Sequence, residues 1–249
     1  MYPIVRVVKL LRQVLGLAYL ESRWVKRQPL WLVQGVVGAV GFTMIIYVWG
    51  SVDALRNLVV AYIIAGAWGL GLNIVAQRIG WDRINHNIEF YVASPVTLSA
   101  YFTGIVLGCS LFLASNLIPA LTIALIFRLD LAPLLALLPV AMLALTLGAF
   151  LSLSIVLRVK NPTNISAMTN PLYTFTITLP PVYYPLYALP PILRWAALAM
   201  PSVSLMEVAR WITGYAATVC SPLWPLLSLA AWSAATSIIV ARRFKWGLE

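Results

Sequence analysis

Unbroken apolar runs, each long enough to cross a lipid bilayer, recur along the chain and constrain its fold more than any other feature. A transmembrane helix needs about 20 mostly apolar residues. Of the 249 residues, 62% are hydrophobic and 10% are charged, whereas soluble domains carry about 25% charged residues. This composition excludes an ordinary soluble globule and a disordered chain. The runs also exclude a β-barrel, whose segments are short and alternating. The sequence therefore predicts an all-α membrane protein.

Six runs are predicted to span the membrane, at residues 30–50, 57–77, 97–127, 133–157, 164 to about 180, and 222–241. They define a six-span domain over residues 30–249. Residues 1–29 carry six Lys and Arg among apolar residues at helical spacing, which is typical of an amphipathic helix lying in the membrane interface. No internal repeat is visible, so the inverted-repeat signature of many secondary transporters is missing.

The placement of the basic residues predicts the orientation in the membrane. Most of the 17 Lys and Arg fall at the two termini or in the loops after the second and fourth predicted spans, and Arg242, Arg243 and Lys245 end the sixth. Loops on the cytoplasmic side are enriched in Lys and Arg, so both termini are predicted to be cytoplasmic. This placement explains the net charge of +10 without a nucleic-acid partner.

Residues 181–211 read PVYYPLYALPPILRWAALAMPSVSLMEVARW. This stretch is too proline-rich for one helix and too apolar for an aqueous loop. We predict two short re-entrant helices on the extracellular side within residues 182–213, at about 189–199 and 204–212. The pattern resembles the end region of ABC-2 type permeases, the membrane subunits of a class of ATP-driven exporters. The matching positions are Tyr184, Pro185, Leu186, Leu189, Pro190, Leu193, Arg194, Pro201, Glu207 and Arg210.

A second resemblance to the same family lies in residues 78–95, RIGWDRINHNIEFYVASP. The family has a charged pair, a short helix with Leu-Glu, and Ser/Thr-Pro before the third span; His86 and its flanking asparagines depart from the family pattern. In the family this cytoplasmic helix docks into the ATP-binding subunit. The resemblance thus implies that contacts for coupling to the ATPase come from Asp82, Arg83, Ile88, Glu89 and Phe90.

The chain has no Gly-Lys pair and so no phosphate-binding loop. We therefore expect no catalysis and no cofactor or metal in this chain, with ATP and Mg bound by a separate subunit. The resemblance implies a permease that moves an amphipathic drug, lipid or glycan-type substrate outward by alternating access. It also implies three kinds of partner, namely an ABC ATP-binding subunit, a second permease chain in a homo- or heterodimer, and the lipids of the plasma membrane.

Three sets of side chains in the last third of the chain are candidate functional residues. Ser166, Asn170, Thr174 and Thr178 form one stripe down the fifth predicted span and either line the export path or bond to neighbouring helices. Glu207 and Arg210 share a helical face, as a structural ion pair or as part of a gate. Tyr183 and Tyr184, with Tyr187, either close the outer mouth or anchor the bend as interfacial aromatics.

Two other functions compete with this interpretation. A secondary transporter or channel, not coupled to ATP, would carry ionisable residues buried in mid-span, and the predicted spans contain none. An intramembrane enzyme or an assembly scaffold would need a catalytic cluster or a large hydrophilic face, and neither is visible. Cys109 and Cys220 lie at different predicted depths and are expected to be free thiols.

Overall fold

The apolar runs form long helices that pack around one central helix. The computed structural model describes residues 3–244 and 246, so the predicted stop residue Lys245 lies outside the described residues. Within this part of the chain there are no strands, and the helices are α1 (Pro3–Lys26), α2 (Pro29–Trp49), α3 (Val52–Ile84), α4 (Asn87–Ala93), α5 (Leu98–Ile126), α6 (Ala132–Val156), α7 (Pro162–Ile177), α8 (Pro191–Leu198), α9 (Pro201–Thr213) and α10 (Leu223–Arg243).

Five of these helices, α2, α3, α5, α6 and α10, are long and apolar enough to cross a membrane. The pair α8 and α9 reaches the same standard if it is counted as one bent span. The predicted fifth span, α7, has 16 residues, fewer than the about 20 that a bilayer needs. The prediction of an all-α membrane protein is confirmed.

Helix α3 lies at the centre, with 83% of its apolar window buried, whereas the corresponding figure for α2 is 6%. Helices α2, α5, α6 and α9 pack around α3. Residues Leu70–Val75 form a π-helical turn, which shifts the register of the side chains that follow. The helix continues beyond residue 77, the predicted end of this span, to Ile84. It ends where His86 takes a positive φ of 59°.

Glycines allow α3 and α6 to approach each other closely. A Cβ atom on Gly148 of α6 would lie 2.7 Å from the carbonyl oxygen of Trp68, and a Cβ on Gly71 would overlap the carbonyl oxygen of Leu145. Both contacts are with backbone atoms, which cannot move aside as a flexible side chain can. The contact between the two helices therefore depends on these glycines.

Replacing Gly71 with alanine should destabilise the protein by about 1–3 kcal/mol, the usual cost of overpacking a core. The matched control is Gly41→Ala on α2, where a new Cβ would meet no atom within 4 Å. That substitution should be neutral or slightly stabilising because alanine favours the helix. Thermal unfolding of the purified variants in detergent, followed by tryptophan fluorescence, checks both results. Equal unfolding temperatures would contradict the expected contact.

Helix α1 packs lengthwise against the first half of α5, and the two run in parallel. Gln13 donates a hydrogen bond to the carbonyl oxygen of Pro95 (2.6 Å), and farther along the ring of Trp24 contacts that of Phe112 with centroids 5.4 Å apart. Between them, a Cβ on Gly104 would lie 2.5 Å from Cβ of Leu17. The opposite side of α1 leaves apolar side chains exposed, including Val8, Leu11 and Leu15. Such a face is suited to lipid.

The proline-rich stretch forms two short helices, as predicted, with shifted bounds. Helices α8 and α9 are bent by 100° relative to each other. Pro191 and Pro201 stand in the first turns, where the missing N–H group has no helical partner to lose. Helix α9 packs against α10 and α3, so this pair is tied to the central helix at the end opposite α4.

Candidate functional site

A cavity of about 1140 Å³ opens along one side of α3, between α2 and α7. Aromatic rings and uncharged polar side chains line it. The lining residues include Trp24, Trp31, Gln34, Phe42, Tyr62, Asn73, Gln77, Trp81, Phe112, Ser115, Asn116, Ser166, Asn170, Tyr173, Thr178, Tyr183 and Tyr184. Among the described residues that line it, none is Asp, Glu, Lys, Arg or His. The cavity can therefore hold an organic molecule of drug size or larger.

Helix α7 presents two different polar faces. Ser166, Asn170 and Thr178 of the predicted stripe line the cavity. The fourth member, Thr174, is exposed, and its hydroxyl donates to the carbonyl oxygen of Asn170 (3.2 Å). The structure thus brings three of the four stripe residues to one surface.

Bonds between α7 and α3 come from threonines outside that stripe. Gln77 donates to the hydroxyl of Thr169 (2.7 Å), and the indole N–H of Trp68 donates to the hydroxyl of Thr176 (2.9 Å). These two contacts hold α7 against the central helix, and neither was predicted from the sequence. Three of the four stripe residues, Ser166, Asn170 and Thr178, line the cavity.

A buried network around Arg210 closes the end of the bundle that carries α8 and α9. The Arg210 side chain is fully buried and donates to Glu207 Oε1 (2.7 Å) and Asn57 Oδ1 (2.8 Å). It also donates to the carbonyl oxygens of Val182 and Tyr184, each at 2.9 Å. The ion pair predicted from the i, i+3 spacing is present. One guanidinium therefore ties α9, α3 and the chain before α8 together.

The predicted tyrosines lie at the same end. Tyr183 packs edge-on against Phe42 with ring centroids 5.1 Å apart, and its carbonyl oxygen accepts from Asn57 (2.8 Å). Tyr184 donates its hydroxyl to the carbonyl oxygen of Leu179 (2.9 Å), and both rings line the cavity. Tyr187 is exposed. Two of the three tyrosines thus line the cavity, while the third is exposed.

A second buried charged cluster lies at the other end of α3. Arg78 donates two hydrogen bonds to the Glu21 carboxylate, both 2.9 Å long, and a third to Asp82 Oδ1 (2.5 Å). Asp82 also accepts from the Tyr101 hydroxyl (3.0 Å) and from Asn87 (3.1 Å). Because these residues belong to α1, α3, α4 and α5, the cluster joins all four helices. We call it the inner charge cluster.

The predicted coupling residues divide into buried and exposed members. Asp82 is fully buried and Ile88 is 7% exposed, so neither offers its side chain to a partner. Arg83 donates to the carbonyl oxygens of Leu157 and Val159 at the end of α6. Glu89 is exposed and lies 2.6 Å from the His86 ring, and Phe90 is 75% exposed. Only Glu89 and Phe90 present an outward surface.

The inner charge cluster affects the pKa of a tyrosine on α4, Tyr91. Burial, together with the Asp82 carboxylate, raises the pKa of Tyr91 above its ordinary value. Its neutral phenol therefore persists at physiological pH.

No group of three or more His, Cys, Asp or Glu that could hold a metal occurs among residues 3–244 and 246. Cys109 and Cys220 are free.

Four residues of the two buried clusters were not predicted from the sequence, namely Glu21, Arg78, Tyr101 and Asn57. Arg78 and Asp82 were expected in a loop, whereas both lie on α3, and their i, i+4 spacing was a usable signal. Glu21 was the one acid in an otherwise basic segment, which is a weaker signal. Nothing local pointed to Asn57, whose partner Arg210 is 153 residues away.

Comparison with known protein families identifies a family for most of the chain. A family model described as "ABC-2 type transporter" matches residues 14–213. The matched range runs from the middle of α1 to the end of α9, so it includes the cavity and both charged clusters. Comparison with curated proteins gives no match.

Proposed function

The chain belongs to the ABC-2 type transporter family, and from this premise we propose that it is the permease subunit of an ATP-driven exporter. The family makes it a membrane permease rather than a catalyst. We assign ATP and Mg binding to a separate subunit, because the chain has no phosphate-binding loop. The observation that carries the proposal is the exposed Phe90 ring on α4. An exposed aromatic residue on a short helix is suited to docking a partner.

The cavity beside α3 is the proposed substrate path. It is bordered by α2, whose apolar surface is almost entirely exposed within the single chain. A second permease chain, identical or different, would cover this side, and the path would open alternately inward and outward. Ser166, Asn170 and Thr178 support the assignment because they line the cavity. Tyr183 and Tyr184 are proposed as the outer gate, which the Arg210 and Glu207 pair holds in position.

The proposed location is the plasma membrane, with both termini in the cytoplasm. Support comes from the concentration of Lys and Arg at the termini and near α4. The proposed cargo is an amphipathic drug, lipid or glycan-type molecule. Support comes from the cavity lining, which mixes aromatic and uncharged polar side chains.

One observation favours the alternative, a secondary transporter or channel that does not use ATP. Buried ionisable residues on a spanning helix are typical of such proteins, and Arg78 and Asp82 lie on α3. These charges, however, lie at the end of the helix beside α4 and are paired with each other and with Glu21. This arrangement favours a structural role, in which the ion pairs hold α1 against α3, over an ion path.

The proposal is tested by purifying the tagged chain from its native membrane in a gentle detergent. We expect a stoichiometric partner that carries a phosphate-binding loop, identified by mass spectrometry, and ATP hydrolysis by the complex. A monodisperse chain without ATPase activity in several detergents would overturn the exporter proposal and favour the alternative.

Replacing Phe90 with alanine should lower the amount of co-purified ATPase about tenfold, the effect of one interface hot spot of about 1–2 kcal/mol. The matched control is Phe175→Ala on α7, which removes the same ring from a side chain that is 62% exposed. The control should retain the partner. Quantitative mass spectrometry of the two pull-downs measures the difference, and equal recovery would argue against docking through α4.

A further inference from the structure

Helix α1 presents a line of basic side chains on one side. Lys9, Arg12 and Arg23 of α1, and Arg27 directly after it, are all exposed. Lys9 and Arg12 are three residues apart, and Arg23 and Arg27 are four apart, so each pair shares one helical face. Arg23 follows Arg12 by about three full turns of helix, which places both pairs on the same face. We call these four residues the basic stripe.

The one acidic residue among residues 1–29, Glu21, does not offset this charge. Its side chain is 2% exposed, and its carboxylate accepts two hydrogen bonds from Arg78 within the inner charge cluster. Among residues 3–244 and 246, no carboxylate forms an ion pair with the basic stripe. The exposed surface of α1 in this part of the chain is therefore positive, with no acid beside it.

An apolar surface adjoins the basic stripe. It consists of four side chains that are each more than half exposed, Val8, Leu11, Leu15 and Tyr19. Together with Arg12 and Gly16 they line a shallow groove of about 570 Å³. A Cβ atom on Gly16 would meet no atom within 4 Å, so the chain itself leaves this position open. The groove thus combines an apolar surface with a guanidinium group at its side.

This combination of surfaces fits the boundary between a bilayer and water. In water the apolar side chains would stay hydrated, which is unfavourable, and within hydrocarbon the basic stripe would be costly. At the boundary the apolar side chains contact acyl chains while the basic ones reach the headgroups. A headgroup with a net negative charge attracts the stripe, whereas a zwitterionic headgroup carries no net charge to do so.

We propose that α1 binds anionic phospholipids in preference to zwitterionic ones. The basic stripe contacts their phosphate groups, and the groove at Gly16 receives part of an acyl chain. This binding uses only the exposed surface of α1, so it is independent of the substrate, of the ATPase and of the exporter function.

Two photoreactive phospholipids test the proposal, phosphatidylglycerol and phosphatidylcholine with the same diazirine-bearing acyl chain. The full chain, with its co-purifying partners, is placed in phosphatidylcholine nanodiscs that contain a trace of one probe. After irradiation and chymotrypsin digestion, labelled peptides are quantified by mass spectrometry. We expect phosphatidylglycerol to label α1 at least about fivefold more, the factor that one Lys or Arg contributes near an anionic surface. Residues 40–49 of α2, which include no charged residue, should be labelled equally by both probes.

Paired substitutions identify the charges responsible. Lys9→Gln with Arg12→Gln removes half of the basic stripe and should lower the preference for phosphatidylglycerol at least about twofold. Lys9→Arg with Arg12→Lys keeps both charges and should keep the preference. The matched control is Arg158→Gln with Lys160→Gln, which removes two exposed charges from the loop after α6. That variant should leave the labelling of α1 unchanged.

Salt and unfolding measurements complete the test. In about 1 M salt, where charges act over only about 3 Å, the preference should fall towards equal labelling. Thermal unfolding shows whether each variant retains the fold. Equal labelling of α1 by the two probes at low salt would overturn the proposal, as would a preference that the control variant lowers as much as Lys9→Gln with Arg12→Gln. Absence of labelling by either probe would place α1 against protein or water and would also overturn it. A loss of ATP hydrolysis would count against the exporter function alone, because the labelling needs no ATP.

Discussion

Replacing Arg210 with methionine should destabilise the protein by about 3–5 kcal/mol, the usual result of removing one partner of a buried ion pair. The guanidinium is fully buried, and every contact it makes is with an acceptor inside the protein. Methionine fills a similar volume but donates nothing. The Glu207 carboxylate, 2% exposed, would then be left as a buried charge without a cation. Thermal unfolding in detergent, followed by tryptophan fluorescence, measures the loss.

Two further variants distinguish the cost of leaving Glu207 as an unpaired buried charge from the cost of removing an arginine. Arg56→Met removes the exposed partner of Asp53, an ion pair of 3.1 Å, and should cost less than about 1 kcal/mol. The double variant Arg210→Met with Glu207→Gln removes both buried charges and should be more stable than Arg210→Met alone. An Arg210→Met protein that unfolds at the same temperature as Arg56→Met would contradict this account.

Local sequence signals predicted the end of the molecule that carries α8 and α9 better than the end that carries α4. The spacing of Glu207 and Arg210 on one helix predicted their ion pair, because residues three apart on a helix are neighbours. The prolines predicted the break between α8 and α9, since proline cannot continue a helix. Neither signal could identify Asn57 as the third partner, because this contact depends on how α9 packs against α3.

Helix α3 extends beyond the predicted end of the membrane span, residue 77, for a physical reason. Hydropathy falls at Arg78, and a membrane span was therefore ended at residue 77. A helix, however, ends where its backbone changes direction, and no glycine C-cap or proline follows until the turn at Asn85 and His86. On these last turns, Arg78 pairs with Glu21 of α1. This tertiary contact was not visible in the local pattern.

The cavity shows a similar limit. Helical periodicity placed Ser166, Asn170, Thr174 and Thr178 on one face, and three of them line the cavity. The position of Asn73 depends on the π-helical turn, which changes the register within α3 and leaves no clear composition signal. The cavity residues on α7 could thus be predicted from the sequence. Those on α3 could be identified only from the structure.

Replacing Glu21 with glutamine should disconnect ATP hydrolysis from the cavity if the chain is the proposed permease. Glu21 is the contribution of α1 to the inner charge cluster, and its carboxylate receives two hydrogen bonds from Arg78. Asp82 keeps Arg78 paired in the variant, at 2.5 Å, so the fold is retained. We expect ATPase activity within about twofold of the original. We also expect a labelling response, defined as the ATP-dependent change in labelling of α2 and α7 by an uncharged amphiphile that carries a benzophenone, that is about tenfold smaller. A bidentate charge-assisted contact of about 1.5–3 kcal/mol accounts for an effect of that size.

The control for this prediction makes the same chemical change on an exposed residue of α4. Glu89→Gln alters the surface proposed to dock the ATPase while leaving the inner charge cluster intact. It should lower ATP hydrolysis and the labelling response together, because both depend on association with the partner. Glu21→Gln should lower the labelling response alone, since the partner still docks but its motion no longer reaches α1 through Arg78. A proportional reduction of ATP hydrolysis and the labelling response by Glu21→Gln would indicate that the cluster acts in docking or stability. The proposal that the cluster couples α4 to the cavity would then be wrong.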